Sequence, residues 1–560
     1  MPGNNMKIRL FISLLVCLIS FSKFPQASAE PSRATYTVIN TNNMGTGSLR
    51  QAIEDSNSHT GADTIVFNIP AGLSSPRDEY YIAILDGFEL TDPAGVTIDA
   101  TTQPEQYADD IPEIWIAKSA SPDEPVFTIS TASRGNIIKG FVISGGSGGA
   151  NTIVIDSSYN QILDNAITSL GGGDGIVLNP SAGFNSIEYN YIYGHTLNGI
   201  HLVSSNDNVI SRNVIGLTPS WFPVLRPNGH HGILCAVCNN NQIVNNTISG
   251  NTMKGIALST AGSNTISGNV IGLSKDGLTD QGNGQHGIEL GDNCVGNNVF
   301  GNWVSGNGED GIHLEGSSEI NNTTNNHIEL NAVGYAFDGS FIPNAQHGIG
   351  IYYGSRGNYV GKFGDATRGN IIGGNGWSGV VIVDSSKGVN YLYGNKILYN
   401  QYYGVNVVNS PDNYIGFNTI GRNGVHGTHA GVRIEGGTAL RNAITTNSIY
   451  FNTGLGIELV AGGNAMLPEP VLYSATCNSV SGTTCAGCTV QIYSDREYEG
   501  EFYEDETVAD GDGNFSYSNP LISFHGPNIT AIAFSGSNTS PFALPWVGAC
   551  QRYYLPMIFK

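Results

Sequence analysis

Basic residues are scarce in this 560-residue chain. It holds 24 lysines and arginines against 46 aspartates and glutamates, which gives a formal net charge of −22, with only 12% of residues charged. Proteins that bind nucleic acid present basic stripes to the phosphate backbone. The charge balance therefore predicts no nucleic-acid partner, and it disfavours unaided binding of polyanionic glycans.

Long apolar runs are absent after the first residues, so no transmembrane span is predicted. The start of the chain combines a basic segment, an apolar run from Leu10 to Phe21 and a small-residue cleavage site before Glu30. This order is typical of a signal peptide. We therefore expect a leader at 1–29 and a protein that is secreted, extracellular or held at the cell surface.

Cysteine is also sparse, with seven residues outside the predicted leader. In an exported chain the default state of cysteine is the disulfide. Cys294 has no obvious partner, and the spacing of the last four cysteines lacks the paired knuckles of a zinc site, so no metal site is predicted. The disulfide candidates are Cys235, Cys238, Cys477, Cys485, Cys488 and Cys550.

A helical period is missing from almost the whole chain, and a repeat of short strands takes its place. A Gly-aliphatic-x-aliphatic unit recurs from Gly175 (GIVL) to Gly456 (GIEL), and the units at Gly175 and Gly199 are 24 residues apart. Segments such as NQILDNAI, from Asn160, lie between these units. Three strands in one repeat are typical of a right-handed parallel β-helix, the pectin-lyase-like solenoid. We predict about twelve such coils, with the β-helix proper at 111–465.

The repeated asparagines and glycines have a structural interpretation. Asparagine at a corner tolerates left-handed backbone, and its amide can bond the backbone of its own or a neighbouring coil. The glycine that opens each strand unit is expected to supply a positive φ. We therefore assign both residue types to the architecture.

Residues 30–110 are predicted to form an N-terminal cap and the first strands. Ser48 is a candidate N-cap, and Leu49, Ala52 and Ile53 share one face of a short helix. TVINTNNMGTGSLRQAIEDSN followed by GADTIVFNIP resembles the SLREAI-type (CSLREA-like) N-terminal module of bacterial secreted β-helix repeat proteins. The family often has cysteine before Ser-Leu-Arg, where this chain has glycine. The resemblance implies a surface or carbohydrate-associated location and implies no reaction.

The repeat ends after Leu459, and Pro468 and Pro470 mark a linker. Residues 471–544 contain short alternating strands with hairpin signals, which predict an Ig-like β-sandwich module. We expect this module to be separable from the β-helix. The last segment, 545–560, is predicted to be a C-terminal tail.

One segment of that module has the start of a calcium loop. Asp510-Gly-Asp512-Gly-Asn514 carries the required oxygen ligands, but the twelfth position is Leu521 and not glutamate. A hairpin turn is therefore predicted there. No cofactor is predicted for the chain.

Three coils carry insertions that leave the β-helix at one corner and return through a His-Gly pair, at His231, His286 and His347. Loops on one face of a solenoid are where binding sites usually form. Trp221 and Tyr335 lie in these loops, and aromatic side chains offer apolar faces on which sugar rings can stack. These five residues are the predicted polysaccharide-binding residues. The alternative is that the loops pack on themselves.

Ionisable side chains concentrate on three consecutive coils. Strand alternation places Glu289 and His313 outward on neighbouring rungs, ~4.8 Å apart, where a hydrogen bond between them is expected. Asp310 lies close to His313 in sequence. A carboxylate beside a histidine suits acid–base catalysis on a glycosidic bond or a sugar-ring proton, so Glu289, Asp310 and His313 are the candidate catalytic residues. The alternative is a solvated polar face.

No established catalytic motif is present, whether a nucleophile elbow, a P-loop, an HExxH pair or the motif sets of β-helix polygalacturonases, pectate lyases and alginate epimerases. The chain is therefore predicted to bind, or to bind and process, an extracellular polysaccharide or cell-surface glycan on its loop-bearing face. As an enzyme it would be lyase-like or glycoside-hydrolase-like. The alternatives are a non-catalytic adhesin or structural rod, and a calcium-dependent spacer.

Overall fold

Three long parallel β-sheets form a right-handed parallel β-helix. The structure, a computed structural model, describes residues 32–73, 79–105, 111–118, 124–146, 148–169, 171–222, 224–317, 322–385 and 388–550. Each strand pairs with the equivalent strand one coil later, so each sheet runs the length of the helix. This confirms the fold class predicted from the repeat. The predicted leader at 1–29 and the last ten residues of the predicted tail lie outside the described residues.

The coils contribute one strand in turn to each sheet. Sheet 1 consists of Thr35–Val38, Asp63–Phe67, Val96–Asp99, Ile137–Lys139, Gln161–Leu163, Ser186–Glu188, Val209–Ser211, Gln242–Val244, Thr265–Ser267, Asn298–Phe300, His327–Glu329, Tyr359–Val360, Tyr391–Tyr393, Tyr414–Gly416 and Ala443–Thr445. Sheet 2 consists of Tyr80–Ile84, Ile114–Lys118, Phe141–Gly145, Ala166–Ser169, Tyr191–Tyr193, Val214–Ile215, Thr247–Ile248, Val270–Ile271, Trp303–Val304, Ala332–Val333, Ile371–Gly373, Lys396–Leu398, Thr419–Gly421 and Ser448–Tyr450. Sheet 3 consists of Phe88–Leu90, Phe127–Ile129, Ile153–Ile155, Ile176–Leu178, Ile200–Val203, Ile233–Ala236, Ile256–Ser259, Ile288–Leu290, Ile312–Glu315, Ile349–Tyr352, Val380–Val383, Val405–Val408, Val432–Glu435 and Ile457–Val460. Short 3₁₀ turns lie at Ala71–Leu73, Ala100–Thr102, Ala366–Arg368 and Gly463–Met466.

The rod, which we define as the coils between Thr35 and Met466, is longer than expected. Sheets 2 and 3 each contain 14 strands, whereas the repeat predicted about twelve coils. The additional coils begin inside 30–110, where Tyr80–Ile84 and Phe88–Leu90 already belong to sheets 2 and 3. Their sequences lack the Gly-aliphatic-x-aliphatic unit, so the repeat does not reveal them.

The rod core is built from aliphatic side chains stacked in register. In sheet 1, Ile162 pairs with Ile187, Ile187 with Ile210, and Ile210 with Ile243, and all four are fully buried. Burying one such side chain contributes about 1.5–3 kcal/mol. Because the same position is aliphatic in successive coils, the core is continuous along the rod.

Ladders of buried asparagine side chains hold all three corners. Asn302 shows the pattern: its Oδ1 accepts the backbone N–H of Asn269 at 2.9 Å, and its Nδ2 donates to Oδ1 of Asn331 at 2.9 Å. Within the ladders, the amide groups are thus satisfied by the coils on either side, which confirms the structural interpretation. The first ladder is Asn136, Asn160, Asn185, Asn208, Asn241, Asn264, Asn297, Asn326, Asn358, Asn390, Asn413 and Asn442. The second is Asn165, Asn190, Asn213, Asn246, Asn269, Asn302, Asn331, Asn370, Asn395, Asn418 and Asn447. The third is Asn228, Asn251, Asn283, Asn307, Asn344, Asn375, Asn400, Asn423 and Asn452.

The glycines that open the sheet 3 strands do not have the positive φ that we expected. At Gly199 the constraint is space: a Cβ would lie 2.6 Å from Cγ2 of Ile215 and 2.7 Å from the carbonyl oxygen of Gly232. Positive φ falls instead on residues that precede ladder asparagines, such as Asp164 and Arg212. The expectation of a positive φ was wrong. Glycine is required at this position because neighbouring coils approach too closely for any side chain.

A short helix covers the first end of the rod. It spans Leu49–Ser58, and the Oγ atom of Ser48 accepts the backbone N–H of Gln51 at 3.2 Å. Leu49, Ala52 and Ile53 are buried in the rod core. The predicted N-cap and apolar face are confirmed. Along the described residues, no helix is both long enough and apolar enough to span a membrane.

Two antiparallel sheets follow the rod, and we call them the lid. One sheet contains Val471–Thr476, Ser479–Thr483 and Asn514–Ser518, and the other contains Thr489–Asp495, Phe502–Val508, Asn528–Ser535 and Asn538–Thr539. They enclose a core that includes Val490, Phe515 and Phe524. Ig-like topology stays a prediction.

The predicted disulfides form. Cys477 pairs with Cys550 and Cys485 with Cys488 in the lid, and Cys235 pairs with Cys238 in the rod. Cys294 is free and buried.

In the lid, Oδ1 of Asp510 accepts the backbone N–H groups of Asp512 and Asn514 at 2.9 and 2.8 Å, so this segment is the predicted turn.

The lid bonds to the last coil and covers that end of the rod. That the module is separable from the β-helix stays a prediction. Backbone N–H groups of one strand and of two corners of that coil donate to lid side chains. These bonds run from Ile444 to Thr539 (2.8 Å), from Thr446 to Gln491 (3.2 Å) and from Asn452 to Glu499 (3.2 Å). An open sheet edge invites pairing with other chains, and the lid prevents it.

Candidate functional site

The long insertions leave the rod at the corner between sheets 2 and 3. Each follows a two-residue strand of sheet 2, and each leads into a strand of sheet 3. The residues at the three returns, as predicted, are His231, His286 and His347.

The aromatic side chains of the loops pack on sheet 2 and on one another. Trp221 lies 5.8 Å from Trp115 and 6.2 Å from Phe222, measured between ring centroids. Tyr335 lies 5.0 Å from Phe341, and burial raises the pKa of its hydroxyl to about 12. Among the described residues, the ring contacts of Trp221 and Tyr335 do not include the loop histidines. Their role in binding stays a prediction.

The histidines at the loop returns hold the corner between coils. In each, Nδ1 accepts the backbone N–H at the same corner one coil later, so Nδ1 has no proton and the neutral ring carries its proton on Nε2. Burial, reinforced by nearby positive charge, lowers the pKa of His231 to about 4 and that of His286 to about 3. The donors are Lys254 to His231 (3.3 Å), Asp310 to His286 (3.2 Å) and Ser378 to His347 (3.2 Å).

A buried carboxylate–imidazole pair lies on the outer face of sheet 3. Nδ1 of His313 is 2.9 Å from Oδ2 of Asp310, and its Nε2 is 3.3 Å from Oε2 of Glu315. Burial opposes the charged ring, but the two carboxylate partners outweigh burial and raise the pKa of His313 to about 9. Burial likewise tends to raise the pKa of Asp310, yet the bond from His313 and the nearby imidazoles lower it. His313 is therefore a buried cation at neutral pH.

Asp310 is held from two further directions. The Tyr352 hydroxyl donates to its Oδ2 at 3.0 Å, and the backbone N–H of His347 donates to its Oδ1 at 3.0 Å. The Tyr352 ring lies over Gly350, where a Cβ would be 2.3 Å from a ring carbon. The ring also stacks on His313, with centroids 4.6 Å apart. Glycine at an outward strand position thus makes room for the tyrosine.

The ring stack continues onto the preceding coil. The rings of His286 and His313 are 4.0 Å apart, and Nε2 of His286 lies 3.0 Å from Oε2 of Glu309. Burial and a neighbouring carboxylate raise the pKa of Glu309. Glu289 pairs with Nζ of Lys254 at 2.5 Å. We call this group the imidazole–carboxylate cluster: Lys254, His286, Glu289, Glu309, Asp310, His313, Glu315 and Tyr352.

The predicted hydrogen bond between Glu289 and His313 does not form. The two residues are in register on neighbouring strands, as expected. However, both nitrogens of His313 face carboxylates of their own coil, and Lys254 neutralises Glu289. Strand alternation correctly predicted that Glu289 and His313 are neighbours on adjacent strands. It did not predict which side chains each of them binds.

Four members of the cluster were not among the predicted site residues: Lys254, Glu309, Glu315 and Tyr352. Lys254 occupies the position before a strand-opening glycine, the same position as His231, His286 and Asp310, so the repeat could have identified it. The sequence gives weaker indications that Glu309 and Tyr352 belong to the site. For Tyr352 the signal is the glycine two residues earlier, because that outward position usually has a side chain.

A separate groove of about 510 Å³ lies on sheet 1 and is lined by Phe300, Tyr359 and Phe363, among others. Tyr359 stacks on Tyr391 with centroids 4.9 Å apart and ring planes 6° from parallel. Tyr359 and Tyr391 therefore cover one face of each other's ring, and a ligand cannot stack on those faces. The rest of the lining is polar or charged: Asn298, His327, Glu329, Lys362 and Arg368.

The sequence profile of the family described as "Periplasmic copper-binding protein (NosD)" matches residues 121–219, 225–341 and 338–467, which together exceed half of the chain. No curated protein is significantly similar in sequence.

Several solved structures share the fold. The periplasmic alginate epimerase AlgG is 14% identical with a TM-score of 0.37, over 67% of this chain and 84% of that chain. The A-module of the Azotobacter vinelandii mannuronan C-5 epimerase AlgE4 is 12% identical with a TM-score of 0.34, over 76% and 97%. The Dettilon tailspike protein is 14% identical with a TM-score of 0.42, over 92% of both chains. At these values the likeness concerns the fold alone.

Proposed function

The chain belongs to the NosD family of periplasmic copper-binding proteins, and we propose that it is an exported protein that binds a polysaccharide across its imidazole–carboxylate cluster. The observation that carries the proposal is a set of three partly exposed carboxylates. The side chains of Glu289, Glu309 and Glu315 are 16%, 31% and 45% exposed, and each is anchored by Lys254 or an imidazole. The family description supports export, in agreement with the predicted leader.

The charge of this surface favours a neutral ligand. Ionised carboxylates only accept hydrogen bonds, and these three lie on two adjacent coils, about 4.8 Å apart. The hydroxyl groups of a neutral sugar chain supply donors for such acceptors. A polyuronate would add negative charge where four carboxylates already face only Lys254 and His313. We therefore infer a neutral polysaccharide.

Copper, which the family description names, does not fit the cluster as it is folded. Within the described residues, one group of three potential ligands has its donor atoms within 4.8 Å of one another, and it consists of His286, Asp310 and His313. Copper requires an imidazole nitrogen with a free lone pair. Nδ1 of His286 accepts a backbone N–H and its Nε2 carries the proton, while both nitrogens of His313 face carboxylates. No step of the proposal therefore involves copper.

Processing of the polysaccharide is the second candidate function, and the divergent carboxyl groups favour it. Burial raises the pKa of Glu309. The pKa of Glu315 is lowered, because this carboxylate forms a hydrogen bond with His313. Two carboxyl groups whose pKa values are pushed apart are suited to act as acid and base. In this version Glu309 is the acid and Glu315 the base. Asp310, which is 1% exposed, positions His313 without contacting substrate.

The test is a calorimetric binding panel of neutral, amino-sugar and uronate polysaccharides with the full chain. We expect a neutral polysaccharide to bind, and the Glu309→Gln/Glu315→Gln double variant to bind at least about tenfold more weakly, because two hydrogen-bonded charges are removed. The matched control, Trp221→Ala/Tyr335→Ala, should bind normally. Loss in the control pair alone would move the site to the loops, and the absence of any binding would favour the adhesin, rod or spacer alternatives. Release of reducing ends from the neutral polysaccharide would identify the processing function.

A further inference from the structure

The lid holds two buried carboxylates where it meets the last coil. Asp495 is 2% exposed and Glu499 is 5% exposed. Oδ2 of Asp495 accepts the backbone N–H of Glu499. Oε2 of Glu499 accepts the backbone and side-chain N–H groups of Asn452 at 3.2 and 3.3 Å. The second oxygen of each carboxylate, Oδ1 of Asp495 and Oε1 of Glu499, is buried and has no hydrogen-bond partner among the described residues.

Both carboxylates line a small cavity at this junction. Its volume is about 10 Å³, which holds one atom-sized group. Two further carboxylates and one guanidinium complete the charged lining. Arg496, the guanidinium, is 63% exposed and pairs with Glu501 at 3.4 Å, so it leaves the two buried carboxylates uncompensated. We call this space the junction cavity, lined by Tyr450, Phe451, Asp495, Arg496, Glu497, Glu499 and Glu501.

We propose that the junction cavity binds one Ca²⁺ ion through Oδ1 of Asp495 and Oε1 of Glu499. A buried carboxylate oxygen without a donor is strongly unfavourable unless a cation or proton reaches it. Calcium is a hard cation that takes oxygen ligands in flexible geometry. No imidazole or thiol lines the cavity, which disfavours transition metals. No third carboxylate oxygen lies close enough to join the pair in the described structure. The cavity has room for the ion but not for water beside it, so backbone carbonyl oxygens would supply the remaining ligands.

The ion would fasten the lid to the rod. Asn452 is the last residue of the third asparagine ladder and donates to Glu499. A cation on the opposite oxygen of Glu499 holds this carboxylate in its ionised form. It therefore strengthens the bond between the lid and the end of the ladder.

The experiment is terbium luminescence and calcium calorimetry on the full chain. Tyr450 lines the junction cavity, so excitation of tyrosine should sensitise Tb³⁺ bound there, and added Ca²⁺ should compete it away. We expect calorimetry to show one calcium site. The Glu499→Gln variant should bind calcium at least about tenfold more weakly. The control Asp512→Asn, an exposed acid in the same lid, should bind calcium as the wild type does.

Two further variants keep the outcome decisive. Tyr450→Phe retains both carboxylates, so it should keep the calcium heat and lose most of the sensitised emission. Asp495→Asn should weaken calcium binding as Glu499→Gln does, which guards against misfolding of one variant. The proposal is overturned if the wild type shows no calcium heat, if only protons bind at this pair, or if Glu499→Gln and Asp495→Asn bind calcium normally.

Discussion

Nδ1 of His313 and Oδ2 of Asp310 lie 2.9 Å apart, and this contact organises the imidazole–carboxylate cluster. Asp310 is buried and receives hydrogen bonds from Tyr352 and from the backbone of His347 as well. It therefore connects successive coils and holds a buried imidazolium on the outer face of sheet 3. The ring of His313 stacks between those of Tyr352 and His286.

We predict that His313 titrates near pH 9, and that Asp310→Asn lowers this pKa. Because the folded-state pKa is raised above the ordinary value of 6.5 to about 9, the stability from this pair is complete below pH 6.5 and is lost as pH rises through 9. Removing the charge of Asp310 should cost about 3 kcal/mol at neutral pH, because the buried cation loses its nearer and more buried carboxylate partner and keeps only Glu315. Imidazole NMR titration and chemical denaturation at several pH values measure both effects. An ordinary pKa for His313 in the wild type would contradict the assignment.

Gly350→Ala should disrupt the cluster without touching a charged residue. The new methyl group would overlap the Tyr352 ring and lie 2.6 Å from Oδ2 of Asp310, so we expect a loss of about 2 kcal/mol in the free energy of unfolding. The pKa of His313 should also fall. Gly437→Ala is the matched control, because no atom lies within 4 Å of the position that its Cβ would take. Equal stability of the two variants would refute the steric role of Gly350.

Asn302→Ala should be among the most destabilising single changes in the rod. Its amide bonds to two neighbouring asparagines and to the carbonyl oxygen of Ile266, so truncation leaves several buried polar groups unsatisfied. We expect a loss of roughly 3 kcal/mol or more. Asn298→Ala, an exposed position on the same coil, should change stability by less than about 1 kcal/mol. Thermal and chemical denaturation compare the two, and similar losses would argue against the ladder as a source of stability.

Truncation after Met466 should yield a chain that associates. The lid supplies partners to backbone N–H groups of the last coil, and its removal exposes the last strands of sheets 1 and 2. Light scattering and analytical ultracentrifugation of the truncated chain report this directly. A monodisperse monomer with an unchanged melting temperature would show that the lid is not a required cover.

The repeat predicted the fold because the sequence pattern of a coil lies within one short stretch of the chain. Buried aliphatic side chains alternate along the strands, and ladder asparagines such as Asn165 mark the corners, so the three-strand coil follows from the sequence. The first coils were not counted because the ladder asparagines begin only at Asn136, and because the strand Phe88–Leu90 starts with an aromatic residue where the repeat has an aliphatic one. The close approach at Gly199 was missed because it depends on distances between coils, which the sequence does not state.

The candidate site was only partly predictable for a related reason. Strand alternation correctly placed Glu289 beside His313. The actual partners of both residues depend on side-chain reach across a corner: Lys254 reaches Glu289 from the preceding coil, and Asp310 turns toward His313 from just before its strand. The packing of Trp221 on the apolar outer surface of sheet 2 could not be predicted, because the sequence does not give the distance between the loop and that sheet.

Carboxyl-group footprinting with mass spectrometry tests polysaccharide binding at the cluster most directly. The full chain is labelled with and without a saturating concentration of the neutral polysaccharide that binds best. We predict that labelling of Glu309 and Glu315 falls severalfold when the polysaccharide is bound, because the sugar chain covers both carboxylates. Labelling of the exposed loop residues Asp276 and Asp338 should stay constant. Unchanged labelling of Glu309 and Glu315 at saturation would contradict the proposed site.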